Sequence, residues 1–467
     1  MVFSSLLFLF LYLPVVLAVY YVTPLRWRNG MLLIANLIFY GWGEPTYIAL
    51  MIFTIVADYV AGLLVGRFKS QGRDGPARAA VAAALVLNLA ILFFFKYWDL
   101  IASTLRGWGL DLLPTLGLTL PIGISFYTFQ TMTYPVDVYR GDAQAQRSLV
   151  NFGTFVTLFP QLIAGPIIKY KELADQVDCR EYHVEQFANG VHMFVIGLGK
   201  KVLLANNIGM LWDSYQAMPA GELTVLGAWL GVLAFSLQLY FDFSGYSDMA
   251  VGLGRMLGFE FLKNFDYPYI SRSVTEFWRR WHISLGSWFR EYVYIPLGGN
   301  RVSRGRLCLN LMVVWGLTGL WHGASWNFLL WGLYFGVLIM AEKLWLSRWI
   351  EAWPAAVQHL YTLFLVLVSW AIFALEDFGH MGQYLAAMFG FAGGGLADPA
   401  FGYYLRAYLP TLLVCILASV PLGAKAWHRL PPKVRAVLLP LLVLAGLLAS
   451  TAYLVDATYN PFLYFRF

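Results

Sequence analysis

A chain of 467 residues in which 60% are hydrophobic and only 12% charged departs from soluble domains, where roughly a quarter of residues carry charge. With a mean hydropathy of +0.63 it reads as an integral membrane protein, and its apolar runs are too long and uniform for an outer-membrane barrel. The net charge of +6 suits loops beside anionic lipid and calls for no nucleic acid.

Without water to pair the backbone, such runs must be helical. The opening stretch 2–22 lacks a basic n-region and is about twenty residues long, so it reads as a retained span rather than a signal peptide. Further candidates follow at 30–43, 46–65, 78–97, 116–138, 187–208, 223–241, 306–323, 325–346, 356–375, 404–423 and 435–454. Several are short or interrupted. The expectation is an all-α polytopic membrane protein of about eleven transmembrane helices plus re-entrant and interfacial amphipathic helices. One integral-membrane domain, 1–467, would hold them all.

Basic residues in the loops set the orientation. Arg26 and Arg28 mark the first connection, and Gly43-Glu44-Pro45 carries no cation. Residues 66–79 hold Arg67, Lys69, Arg73 and Arg78 against Asp74, whereas 98–115 hold only Arg106. The alternation predicts an external N-terminus and a cytoplasmic 66–79 loop.

Regular patterning fails in the middle of the chain. Residues 121–140 contain Pro121, Gly123 and Pro135, and 159–171 contain Pro160, Gly165 and Pro166. The second stretch is either a re-entrant segment or a cytoplasmic loop packed on the bundle, with Lys169 and Lys171 candidates for donor phosphates. In LYFDFSGYSD (239–248), carboxylates at membrane depth would cost a few kcal/mol each unless paired or wet. A helix end near Tyr240 is therefore predicted, with Asp242, Tyr246 and Asp248 at a surface or cavity.

On a helical wheel, 276–292 places Phe277, Trp278, Trp281, Leu285, Trp288, Phe289 and Tyr292 on one arc, with Arg279 and Arg280 opposite and His282 at the edge. Two readings remain open: an interfacial helix, or a buried amphipathic helix capping the bundle. In the run 306–323, Trp321-His322-Gly323 holds a histidine inside apolar sequence, which by default marks a functional site. Thr318 and Gly319 lie one turn earlier and Trp315 two turns earlier, and Gly316, Gly319 and Gly323 allow close approach of a neighbour. A dry pocket would keep the ring neutral, as a general base requires. Cys179, Cys308 and Cys415 are far apart, and no metal site is expected.

The blocks PIGISFYTFQ, FPQLIAGPI, QLYFDFSGYSDMAVGLG, NFDYPYISRSVTEFWRRWHISLGSWFREYVYIPLGGNR and GLWHGASWNFLLWG resemble the membrane-bound O-acyltransferases. More narrowly, they are similar to the bacterial, alginate-type branch that O-acetylates exopolysaccharide, as is the opening MVFSSLLFLFLYLPVV. The resemblance runs to about residue 376; C-terminal helices at about 377–467 lie beyond it. One departure is Phe373-Ala374, where the branch usually has Phe-Arg.

The resemblance implies that His322 is the essential histidine and His282 the second site residue, between two funnels joined by a central tunnel. Trp315, Gly319, Trp321, Asp242, Tyr246, Asp248, Arg279 and Arg280 would line the substrate path or support the histidines. It implies no tightly bound cofactor; acetyl-CoA, or a carrier-protein thioester, would be the donor. The acetyl group would pass across the bacterial inner membrane to a periplasmic or membrane-anchored SGNH-type acetyltransferase working with a polysaccharide synthase complex. The rival reading is a transporter, flippase or scaffold without chemistry, against which stands the lack of an inverted repeat.

Overall fold

The computed structural model describes residues 1–163, 165–219, 221–456 and 463. Among these there is no β-strand. Eight helices are long and apolar enough to cross a membrane: Ile48–Ser70, Asp74–Gly107, Val184–Gln216, Val225–Met256, Trp326–Ala352, Ala355–Ala374, Pro399–Ala418 and Pro432–Asp456. The chain is an all-α, multi-pass membrane protein.

The expected count was about eleven, and the difference has a physical origin. Phe8–Val22 is a shorter apolar helix. Arg28–Gly43 has 16 residues and Ile124–Arg140 has 17, below the twenty or so that span a bilayer. Arg304–His322 has 19 residues, but Arg304, Arg306, Asn310 and His322 dilute its apolar character. The last residues of the C-terminal stretch, 457–462 and 464–467, lie outside the described residues.

The chain divides into two compact units, Met1–Phe194 with Ser247–Leu262, and Val195–Tyr246 with Lys263–Phe467. In the first, Phe3, Phe8, Tyr12, Phe39 and Phe159 form a buried aromatic core, Phe39 and Phe159 lying 5.5 Å apart. Gly123, at φ 75°, opens the Ile124–Arg140 helix, which runs on through Pro135.

Residues 159–163 and 165–170 are buried in this unit, and their irregular backbone is met by protein groups. The Phe159 N–H donates to Asn36 Oδ1 (3.1 Å), that of Tyr170 to Thr133 Oγ1 (3.0 Å) and that of Lys171 to Asp137 Oδ2 (3.2 Å). Such pairing is the condition under which non-helical backbone tolerates apolar surroundings. Lys169 and Lys171 are each held by a carboxylate, Glu172 at 2.9 Å and Asp142 at 3.2 Å.

The helix Val225–Met256, whose residues up to Tyr246 belong to the second unit, does not end near Tyr240 as predicted; it continues through the polar run. Asp242 is buried and ion-paired to Lys201 Nζ at 2.5 Å. Lys201 sits in a π-helical turn, Lys200–Ala205, and also donates to Asn206 Oδ1 at 2.9 Å. The carboxylate therefore stays inside the helix because an ammonium meets it there. Further along, Arg304–His322 packs closely on Trp326–Ala341. A Cβ on Gly319 would strike the Phe328 carbonyl, and one on Gly332 that of Trp315.

Candidate active site

The segment expected as one helix over 276–292 is instead two, Val274–Arg280 and Ile283–Phe289, followed by a π turn Arg290–Tyr294. The break falls at Trp281-His282, where His282 takes φ 46° and ψ 54°. Backbone groups at the break find partners outside the helix. Asp266 N–H donates to the Arg280 carbonyl, and Ile283 N–H to the Asn264 carbonyl, both at 2.9 Å. Ser284 N–H donates to Asn264 Oδ1 at 3.0 Å.

Five residues of the apolar arc, Phe277, Trp281, Leu285, Trp288 and Phe289, are buried, whereas Trp278 and Tyr292 are half-buried; the burial of the five favours the packed reading. Trp281 packs against Trp370 at 5.1 Å. Glu342, buried, anchors the start of the first helix: it accepts from the N–H groups of Val274 and Thr275 (2.8 Å each) and from the Thr275 hydroxyl (2.6 Å). An anion at a helix N-terminus is favoured by the helix dipole and its open N–H groups.

His282 is 1% exposed. Its ring meets Phe243 edge-on at 4.7 Å and Trp321 at 5.7 Å, with Nδ1 3.3 Å from Asn264 Oδ1. Burial pushes its pKa far below the ordinary histidine value, so the ring is neutral at pH 7. Nε2 has no hydrogen-bond partner among the described residues.

His322 closes the Arg304–His322 helix, 6% exposed, in an aromatic box. Trp331 stands edge-on at 5.0 Å, Phe373 at 5.5 Å and Trp321 at 5.0 Å. Trp321 thus touches both histidine rings. Asn327, fully buried, donates to the carbonyls of Ile372 (3.2 Å) and Phe373 (3.1 Å). It satisfies the end of Ala355–Ala374 and holds Phe373 against His322.

Against His282 lies a cavity of about 1460 Å³, lined also by Trp278, Trp315 and Thr318, the last one turn before His322, which is not itself among the lining residues. Arg272, Arg279, Arg290, Arg301 and Lys343 also line it. Among the described residues none of the four arginines has a carboxylate within salt-bridge reach. Trp278 and Trp315 meet edge-to-face at 4.7 Å, with Phe335 4.9 Å from Trp278.

The other predicted residues separate by location. Gly319 lies where Arg304–His322 and Trp326–Ala341 approach closely, one turn before His322. Arg279 is exposed on the cavity, whereas Arg280 is tied to Glu276 (2.9 Å) and Asp266 (3.2 Å). Asp242 and Tyr246 are buried in Val225–Met256, Asp242 in its ion pair. Asp248 belongs to the first unit. Sequence reading passed over Asn264, Asn327 and Glu342. For Asn327 and Glu342 a signal existed: polar side chains within or beside an apolar run are costly without partners.

These features coincide with clear likenesses to known proteins. Over the full length of both chains, this one is 38% identical to the probable alginate O-acetylase of Azotobacter vinelandii. It is 31% identical to the peptidoglycan O-acetyltransferase of Helicobacter pylori, over 84% of this chain and 80% of that one. With the teichoic acid D-alanyltransferase of Bacillus subtilis it shares 26% identity over 71% of this chain and 86% of the other. The family model of the membrane-bound O-acyltransferases matches residues 142–376, a span that contains both histidines, the aromatic box and the cavity. With that match and those identities, the chain belongs to the membrane-bound O-acyltransferase family.

Proposed function

We propose that this acyltransferase takes an acetyl group from a cytoplasmic thioester, acetyl-CoA or an acetylated carrier protein, and delivers it across the bacterial inner membrane for O-acetylation of a secreted polysaccharide. The observation that carries the reading is the pair of buried histidines linked by Trp321, one of which, His282, lines a cavity together with four arginines that form no ion pair among the described residues. Phosphates of a CoA or phosphopantetheine donor match those arginines. The loop charges support a cytoplasmic donor and an external N-terminus. Relatives named for alginate and peptidoglycan O-acetylation support an extracytoplasmic glycan as the final acceptor. A periplasmic or membrane-anchored SGNH-type partner fits as carrier of the acetyl group to the polymer.

The chemistry follows from what a thioester needs. It is already activated, so the site must supply a base, a dry channel and positioning. His322 accepts the proton of the attacking hydroxyl as the new C–O bond forms. The C–S bond then breaks, and the leaving thiolate takes up that proton. His282, neutral and held in place, orients the hydroxyl. General-base help of this kind is worth roughly 10²–10⁴-fold.

Purified protein, with its partner, is expected to release free CoA from acetyl-CoA. A His322→Gln variant with unchanged melting temperature should lose that release by about 10²-fold or more. Full release by the variant overturns the role of His322, and absence of release by the parent with its partner overturns the transferase reading in favour of transport or scaffolding.

A further inference from the structure

The surroundings of His282 determine which of its nitrogens carries hydrogen. Nδ1 lies 3.3 Å from Asn264 Oδ1. That atom is the amide oxygen and not the nitrogen, because the Ser284 N–H points at it from 3.0 Å and the Ser284 hydroxyl from 2.9 Å. An NH₂ group in its place would face a backbone donor. An acceptor opposite Nδ1 requires Nδ1 to bear the hydrogen, and in a neutral imidazole the lone pair is then on Nε2. Ser284 Oγ is also near Nδ1, at 3.5 Å, but its single proton has the closer oxygen of Asn264 to go to.

The ring has little freedom to escape this arrangement. Phe243 and Trp321 close on it edge-on, and the left-handed backbone of His282 is itself held by the Asn264 carbonyl through Ile283 N–H. Asn264 is as deeply buried as the histidine. One asparagine thus fixes the backbone bend, the ring orientation and the tautomer together. The remaining nitrogen, Nε2, belongs to a residue that lines the cavity and has no partner among the described residues.

We propose that Asn264 is the positioning residue of this site: it holds His282 as the Nδ1–H tautomer, so that Nε2 receives a hydrogen bond from the hydroxyl entering the cavity and cannot donate one. The proposal rests on the transferase reading and assigns within it the direction of the hydrogen bond at His282. The hydroxyl proton first lies along O–H···Nε2, which seats the hydroxyl; the O–H then turns from Nε2 towards His322, which takes the proton as the new C–O bond forms.

The test uses full-length protein labelled with ¹⁵N-histidine in lipid nanodiscs, with the His282 signal identified by its loss in His282→Asn. The parent should show a protonated Nδ1 and a bare Nε2 at neutral pH. Asn264→Asp keeps an acceptor oxygen and should keep that spectrum and most of the turnover. Asn264→Leu should mix or invert the tautomers and lower kcat by about 10²-fold with donor KM little changed, since presenting the wrong tautomer costs roughly 10⁴-fold in the serine protease triad.

A protonated Nε2 in the parent overturns the proposal without any variant having to fold. So does full kcat in Asn264→Leu. Failure of the transferase reading would show differently, as a parent that releases no CoA; failure of this proposal shows in the spectrum of an active parent.

Discussion

Replacing Asp242 by Asn tests whether that carboxylate is structural. Lys201 and Asp242 are 2% and 3% exposed at their side chains and 2.5 Å apart. Removing one charge strands the other: Lys201 would lose its carboxylate and keep Asn206 Oδ1, a neutral acceptor at 2.9 Å. Breaking a buried pair in this way costs about 3–5 kcal/mol, whereas replacing both members by apolar groups of similar volume is often neutral or better. Asp242 also accepts from the Leu463 N–H at 3.0 Å, and that donor would be left unmet in the double variant, at about 1–3 kcal/mol. The expected series in SDS-titration unfolding is therefore Asp242→Asn and Lys201→Met each destabilised by several kcal/mol, with Lys201→Met/Asp242→Leu recovering most of the loss. The cycle should return a coupling energy of about 2 kcal/mol or more, within the range known for contacting pairs. A single Asp242→Asn protein as stable as the parent refutes the pairing. A stable double variant without acyltransferase activity would show that the pair has a chemical role beyond structure.

The same helices and the cavity wall give three further expectations. Gly319→Ala gains helix propensity of about 1 kcal/mol, but its Cβ meets the rigid Phe328 carbonyl. Overpacking at about 1–3 kcal/mol should win, seen as a lower melting temperature and a fall in kcat as His322 shifts in its box. Glu342→Ala removes the acceptor for three donors at the start of Val274–Arg280; a loss of about 2–3 kcal/mol is expected, and an unchanged melting temperature would contradict it. His282 has a folded pKa below its unfolded value of about 6.5. The unfolded chain therefore binds a proton the folded one refuses, and the stabilisation by the neutral ring is complete above about pH 6.5 and lost as pH falls, at about 1.4 kcal/mol per unit. Relative to His282→Asn, the parent should lose melting temperature between pH 6.5 and 5; parallel pH curves for the two proteins would refute the buried neutral ring.

Class, most of the long helices and the burial of His322 in apolar surroundings were legible in the sequence because each rests on local information. Composition excludes a soluble domain, apolar length marks a span, and a histidine in an apolar helix announces itself by its cost. The wheel over 276–292 shows both the reach and the limit of such reading. Most of its apolar arc is buried, Trp278 and Tyr292 only by half, since side-chain burial follows the pattern of residue types. Its continuity fails, because the Ile283 and Ser284 N–H groups are claimed by Asn264 and the Arg280 carbonyl by the Asp266 N–H, and hydrogen bonds from an ordinary-looking loop leave no periodic trace.

The polar run at Asp242 has a different lesson. Charged in isolation, the carboxylate argues for a helix end, since an unpaired ion in apolar surroundings is costly. Lys201, inside the expected span 187–208, raises the same objection with the opposite sign. Taken singly, each charge terminates its helix; taken together, each removes the other's cost and both helices continue. Oppositely charged residues placed inside two separate apolar spans are thus evidence for contact between those spans, and the closeness of Lys201 and Asp242 is the outcome that pairing rule predicts.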